Sequence, residues 1–387
     1  MRSRTGMAGR SAAEAGTRFM TESLASEFWH VTCDIWNLSC QNAGMLRAAS
    51  DSPLPDSPLP GSPLNDPLIF APPPLVRPDA LAEALLAGWG LRGSLTPLGG
   101  ERDRNFRLTP DQGEALLVKV SHPDEEAAVT DFQTRLLLHL EAATDLPLPR
   151  VVRSLAGGTE CRHRLDDGRD SLLRVLTFVP GGPREDRTAD AFGFGMRAAK
   201  LNAALAGFAH PADGRRLLWD IREAPELRHL LDKVADPALR ALAAAALDAF
   251  QDKAAPLLAA LPGQVIHNDL NPHNVLADEQ GRFAGIIDFG DAVRAPILQE
   301  VATACSYLVM PGPQPMKAVE EFVAGYASVH SLPAAHVALL PVMMATRMAL
   351  TVLITHWRAG MQPENATYIL RNMPGARAGL QTLAELG

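Results

Sequence analysis

Residues 267–291 constrain the fold of this chain more than any other stretch. The run His267-Asn268-Asp269-Leu270-Asn271-Pro272-His273-Asn274 leads into Val275-Leu276-Ala277, a turn-rich Asp278-Glu279-Gln280-Gly281, and a second run from Arg282 to Ile287. Asp288-Phe289-Gly290-Asp291 follows. Two short extended runs around such a turn predict a β-hairpin. A hairpin returns the chain to the end it left, so Asn274 and Asp288 must meet at its open end. An amide oxygen and a carboxylate there suit Mg2+, which takes few protein carboxylates and keeps several waters. Asp269 precedes Asn274 by five positions and is a candidate base for the proton of an acceptor hydroxyl. Phosphoryl transfer needs little more than this, because its catalysis is mostly positioning and charge neutralisation. Asp288 alone reads equally well as an ordinary hairpin acid; the combination at this spacing carries the chemistry.

Four stretches besides the octet, Glu101-Arg102-Asp103-Arg104-Asn105-Phe106, Leu176-Thr177-Phe178-Val179-Pro180-Gly181, Trp219-Asp220-Ile221-Arg222 and Asp288-Phe289-Gly290-Asp291, carry a family likeness. Together they resemble the aminoglycoside phosphotransferase superfamily of small-molecule kinases, and within it the hydroxylysine kinase-like branch. The resemblance covers about residues 80 to 380. It implies an α+β, bilobal protein-kinase-like fold with a small antiparallel-sheet N-lobe over 76–180 and a mostly helical C-lobe over 181–387. It also implies Mg2+ and ATP or GTP as co-substrate. Asn268 stands where protein kinases carry an Arg that serves activation-loop regulation, which favours a small acceptor over a protein. No Ala-Pro-Glu stretch follows the metal-binding Asp.

Before this region, residues 51–64 repeat a Ser-Pro-Leu unit. Proline at that density sustains neither helix nor central strand. Residues 1–75 therefore read as a disordered Pro/Ser-rich extension, with a short helix around Trp29 and Trp36 as the exception. The net charge of −8 gives no footprint for nucleic acid and mildly favours a cationic acceptor. Cys33, Cys40, Cys161 and Cys305 form no Cys-x-x-Cys pair, so neither a disulfide framework nor a zinc site is expected, and a reducing cytoplasm fits. Val337 to Thr355 is apolar enough to resemble a membrane span. A central Arg347 is expensive in lipid, so a buried helix is expected there, and no membrane partner.

Strands are predicted over Leu95–Leu98, Arg104–Thr109, Ala115–Val120, Val151–Leu155 and Leu172–Phe178. A helix is predicted with Ser121 near its cap, Pro123 in its first turn and acids at 124–126, with the stripe Phe132, Leu136 and Leu140. Lys119 ends a strand between the first hairpin and that helix, the place of the phosphate-pairing Lys in the kinase-like fold. The turn Gly99 to Asn105 would cover the phosphates with its backbone amides, which makes Gly100 and Asn105 candidates. Arg102 and Arg104 read as added charge or as solvated side chains. Thr177 and Val179 fall in the purine-binding hinge that the resemblance implies. The helix acid that usually pairs with the Lys is replaced by Gln133, with Glu125, Glu126 and Asp131 nearby.

On the acceptor side, Asp291 and Glu300 are candidate acids for an amino group, although Glu300 also reads as a helix-start acid favoured by the dipole. Arg347 could pair with a buried acid or hold an acceptor carboxylate. His267 reads as a support of the catalytic loop, and His273 as an exposed loop residue. The expected function is transfer of a γ-phosphoryl to a hydroxyl of a small amine-bearing metabolite such as hydroxylysine or a related amino alcohol. Homoserine-type or aminoglycoside acceptors follow. A nucleotide-binding regulator without catalysis is the reading from another class, and it has no need of Asp269.

Overall fold

A computed structural model describes residues 62–100 and 102–386. The Trp29 and Trp36 region and most of the Ser-Pro-Leu repeats lie outside them. The architecture is α+β in two lobes. The first is a five-stranded antiparallel sheet in the order β1-β2-β3-β5-β4. Its strands are β1 (Gly93–Leu98), β2 (Arg104–Pro110), β3 (Leu116–Val120), β4 (Cys161–Arg164) and β5 (Asp170–Thr177). Alternation along the strands sorts the two faces. Val118, Val120, Leu173 and Val175 face the helix Pro78–Trp89 and form a small core with its Leu81, Leu85 and Trp89. Lys119 and Arg174, paired in register, point to the opposite face. There the helix Ala127–Ala143 lies, and its Phe132, Leu136 and Leu140 are fully buried.

Two sequence expectations change here. Val151–Leu155 is not a strand: Val151 makes an isolated bridge to Leu176, and the chain then turns. The edge strand is Cys161–Arg164, in which Cys161 packs on the small core and His163 is buried on the same face, so a cysteine and a histidine between arginines give no aliphatic alternation to read. The helix starts at Ala127 and not near Ser121, because Ser121 is tied to β5 by its backbone N–H and carbonyl.

The larger lobe is mostly helical. Its centre is the helix Leu340–Met361, packed by Pro237–Ala249, Ile297–Ser306 and Met373–Leu386. This is the apolar segment that mimics a membrane span. Of its most apolar window, 94% is buried inside the protein. The helices Ala191–Leu205 and Lys317–Ala327 pack closely through Gly195 and Gly325. A Cβ on either glycine would overlap a carbonyl oxygen of the other helix, Phe322 or Phe192.

The hairpin consists of β8 (Val275–Ala277) and β9 (Phe283–Ile286), with β6 (Gly182–Pro183) paired along β8. Its turn closes through Asp278 and a left-handed Gly281. A two-stranded ladder of β7 (Gln264–Ile266) and β10 (Val293–Ala295) holds the segments that flank it.

Residues 62–75, placed in the extension by the sequence, are seated on the fold. Leu68 and Ile69 are buried, Phe70 meets the Trp357 ring edge-on at 5.0 Å, and Asp66 pairs with Arg102 at 2.9 Å. A fully buried aliphatic side chain contributes about 1.5–3 kcal/mol. A chain beginning at Val76 should therefore be less stable than one beginning at Ser62 by roughly 3 kcal/mol or more. Equal urea midpoints for the two proteins would show that this segment adds nothing.

Candidate active site

The hairpin expectation holds in its main consequence. Ile287 N–H donates to the Asn274 carbonyl at 2.9 Å, which sets Asn274 and Asp288 beside each other at the open end. Asn268 and Asp288 both adopt left-handed backbone conformations, with φ of 67° and 63°. Asn and Asp accept this conformation more readily than most residues. The bend at 268 turns Asp269 away from the ladder. The bend at 288 exposes its carboxylate, which accepts from Gly290 N–H at 3.1 Å.

Asp269 is the focus of the loop. Its Oδ1 accepts from Arg347 at 2.9 Å, and its Oδ2 accepts from the amides of Asn271 and Asn274, each at 2.7 Å. Burial pushes its carboxyl up to about 7, against the lowering influence of Arg347 and with a further push from Asp291. Because Asn274 spends its Nδ2 on Asp269, its side-chain oxygen is the atom left to meet a cation.

The loop is propped from behind. Glu300, fully buried, accepts from His267 N–H at 2.9 Å and Asn268 N–H at 2.8 Å. It does not line the cavity between the lobes, and both carboxylate oxygens are engaged with backbone, so its surroundings do not support the expectation that it holds an acceptor amine. His267 Nδ1 accepts from Asp269 N–H at 3.2 Å, which leaves Nε2 to donate to the Ile287 carbonyl at 3.0 Å. Gln299 joins the loop to the Trp219-Asp220 turn, donating to Asp220 at 3.0 Å and to Asn268 at 2.9 Å. Arg347 settles between its two readings by pairing with Asp269. It also donates to the Trp219 carbonyl at 2.6 Å and lies over the Trp219 ring.

A cavity of about 530 Å³ lies between the lobes. Gly100, Asn105, Lys119, Asp269, Asn274, Asp288 and Asp291 all line it. Thr177 and Val179 do not. The Thr177 backbone N–H and hydroxyl are both taken by Arg150, and Val179 packs against Gly285.

The acid of Lys119 is Asp103, at 3.2 Å, a residue the sequence did not single out. Burial raises the Asp103 carboxyl, but Lys119 and Arg174 outweigh it and hold the group below its usual value. Gln133 serves Arg174 instead, at 3.2 Å. Asp131 is turned to Arg135 and His210, and Glu125 faces Arg102 at 4.0 Å. Arg215 was also missed. It donates to the carbonyls of Gly290 and Ala292 and so fixes the turn that carries Asp288 and Asp291. Burial raises the Asp291 carboxyl, opposed by Arg102 and Arg215.

Comparison with known proteins bears on this arrangement. The pattern of the phosphotransferase enzyme family matches residues 94–338. Hydroxylysine kinase of Mus musculus is 25% identical over 338 residues, covering 80% of this chain and 90% of its own. That of Danio rerio is 26% identical over 315 residues, covering 77% and 88%. Among solved structures, a microcompartment-associated aminopropanol kinase superposes with a TM-score of 0.63 at 22% identity, covering 80% of this chain and 98% of its own. A spectinomycin phosphotransferase in complex with ADP and spectinomycin gives 0.55 at 13%, covering 81% and 99%. These likenesses show the protein-kinase-like phosphotransferase fold.

Proposed function

The chain belongs to the phosphotransferase enzyme family, and on that premise we propose that it transfers the γ-phosphoryl of ATP to a hydroxyl of a small amine-bearing acceptor. Hydroxylysine and related amino alcohols lead the candidates, because the curated relatives are hydroxylysine kinases and one structural relative is an aminopropanol kinase. ATP is preferred over GTP because structural relatives are complexes with AMP-PNP and with ADP.

The observation that carries the reading is a carboxylate, Asp269, held by three donors on the wall that Lys119 and Asp288 share. Asp269 Oδ1 has one partner and keeps a lone pair for an acceptor O–H. Its raised proton affinity suits a group that must take a proton near neutral pH. Lys119 lines the cavity and would meet phosphate oxygens, with Asp103 yielding it when a nucleotide enters. The oxygen donors of Asn274 and Asp288 fit Mg2+ by their hardness. When bound, the cation would neutralise phosphate charge.

A coupled assay of ATP consumption across amine-bearing alcohols, amino acids and aminoglycosides tests the proposal. ATP turnover that no hydroxyl acceptor stimulates would leave the binding-only reading standing. Asp288→Ala and Asn274→Ala should each raise the metal concentration for half-maximal activity by at least about tenfold, the loss typical when a metal's supporting residues are disturbed. Unchanged midpoints in both variants would place the cation elsewhere.

A further inference from the structure

Next to the catalytic cavity lies a second one of about 300 Å³. The two share His273, Tyr307, Thr351, Arg371 and Asn372. Nothing in the proposed reaction uses this second chamber. Its wall adds Arg184 and Arg187, so three guanidinium groups face one small space, with exposed Glu185 as its acid among the described residues.

The three arginines differ in how far they are committed. Arg184 donates to the Ala189 carbonyl and lies over the Phe194 ring. Among the described residues, Arg187 makes a long contact with the Met310 sulfur, 3.8 Å. Arg371 donates to the Tyr368 carbonyl at 3.0 Å and lies over the Tyr368 ring at 3.9 Å. Neither Arg187 nor Arg371 has an ion-pair partner among the described residues. Both guanidinium groups line the chamber together with His273. Planar guanidinium groups hold carboxylates through paired N–H donors, and Arg371 is already oriented by its ring and carbonyl contacts.

The cavity wall continues this polarity on one face of the central helix. Arg347, Thr351, Thr355 and Arg358 follow at helical spacing and all line the catalytic cavity. The threonine hydroxyls bond back to the helix carbonyls of Arg347 and Thr351, which leaves cationic and neutral groups on this wall.

We propose that this second chamber is an anion subsite in which Arg371 and Arg187 hold the carboxylate of the acceptor. The acceptor is then a hydroxylated amino acid and not a simple amino alcohol or an aminoglycoside. This rests on the kinase reading and deepens it. The acidic pocket that the sequence suggested for an amine contracts to Asp291, since Glu300 faces the loop backbone.

The test compares hydroxylysine with 1,5-diaminopentan-2-ol, which lacks only the carboxylate, in the wild type, Arg371→Gln and Arg187→Gln. The wild type should prefer the amino acid in kcat/KM, and Arg371→Gln should narrow that ratio tenfold or more. Arg371→Lys, which keeps the charge, should retain part of it. A binding measurement runs in parallel without turnover: L-lysine against cadaverine, titrated calorimetrically in the presence of a non-hydrolysable ATP analogue. There the carboxylate-bearing compound should bind more tightly, and Arg371→Gln should remove the difference. Equal treatment of the two compounds in both measurements, or a preference that survives both glutamine variants, overturns the subsite. Carboxylate-selective binding of lysine without phosphoryl transfer to either alcohol would instead overturn the kinase reading and leave the subsite in place.

Discussion

Asp269→Asn should lower kcat by about 10²–10⁴-fold, the range expected when a positioned general base is removed, and should leave nucleotide affinity close to that of the wild type. The reason is in the bonding. Asp269 touches Arg347, Asn271 and Asn274, and none of the turn residues Gly99, Gly100 or Asn105 that line the cavity and are proposed to cover the phosphates. An Asn at 269 keeps the shape and can still accept from Arg347 through its oxygen. Its NH2 then opposes the amide donors of Asn271 and Asn274, and it has no basicity to take a proton. The measurement is a steady-state kcat beside a nucleotide titration followed by melting temperature, since a ligand that binds the native state raises stability by mass action. A variant retaining more than a tenth of wild-type kcat would remove the base role from Asp269. A nucleotide-dependent melting shift that vanished along with kcat would show that the residue holds the nucleotide instead.

The part of this site that the sequence disclosed is the part built from short-range contacts. Fourteen positions separate Asn274 from Asp288, and a hairpin rule suffices to join them. The stripe Phe132, Leu136 and Leu140 is equally local, and it is buried as expected. What stayed hidden depends on distant partners. Asp103 lies in a turn between two arginines, where an acid looks solvated; only the fold of the sheet brings it over Lys119. Glu300 does sit in the first turn of Ile297–Ser306, as a dipole argument wants. Its carboxylate instead caps two backbone N–H groups of a loop more than thirty residues away. Arg215 follows a Gly and precedes another Arg, so nothing in its surroundings marks it as the anchor of the Asp288 turn. The arginine chamber is assembled from residues 184–187 and 371–376 on either side of the loop Pro272-His273. No local pattern announces it. The buried Ile69 shows the same limit for a Pro-rich segment, whose composition forbids regular structure but does not forbid docking.

Arg347→Met tests how much of the base depends on its cation. Arg347 is 2% exposed and its partner side chain 19% exposed, so the pair is largely withdrawn from water. Breaking a buried pair by removing one partner costs about 3–5 kcal/mol, and the partial exposure of Asp269 puts the expected loss at the lower end, about 3 kcal/mol. The sign of the pH effect follows from the shift. The native Asp269 carboxyl is already raised by burial to about 7, and Arg347 works against that rise. Its native affinity for a proton exceeds the unfolded value, so ionising it destabilises the fold as pH climbs from the unfolded value through the native one. Methionine removes the lowering influence, so both effects move to higher pH. The acid limb of kcat/KM, where the base must lose its proton, should shift upward relative to the wild type. The variant's stability deficit should grow as pH rises from neutral, where Asp269 ionises in the wild type but costs more to ionise in the variant, and shrink in acid, where Asp269 is neutral in both proteins. A cation held at Asp288 would lower the proton affinity of Asp269 in the same direction as Arg347, so saturating metal should recover part of the shift. An acid limb at the same pH in both proteins, with a stability difference independent of pH, would mean that Arg347 acts by packing on Trp219 and not through its charge.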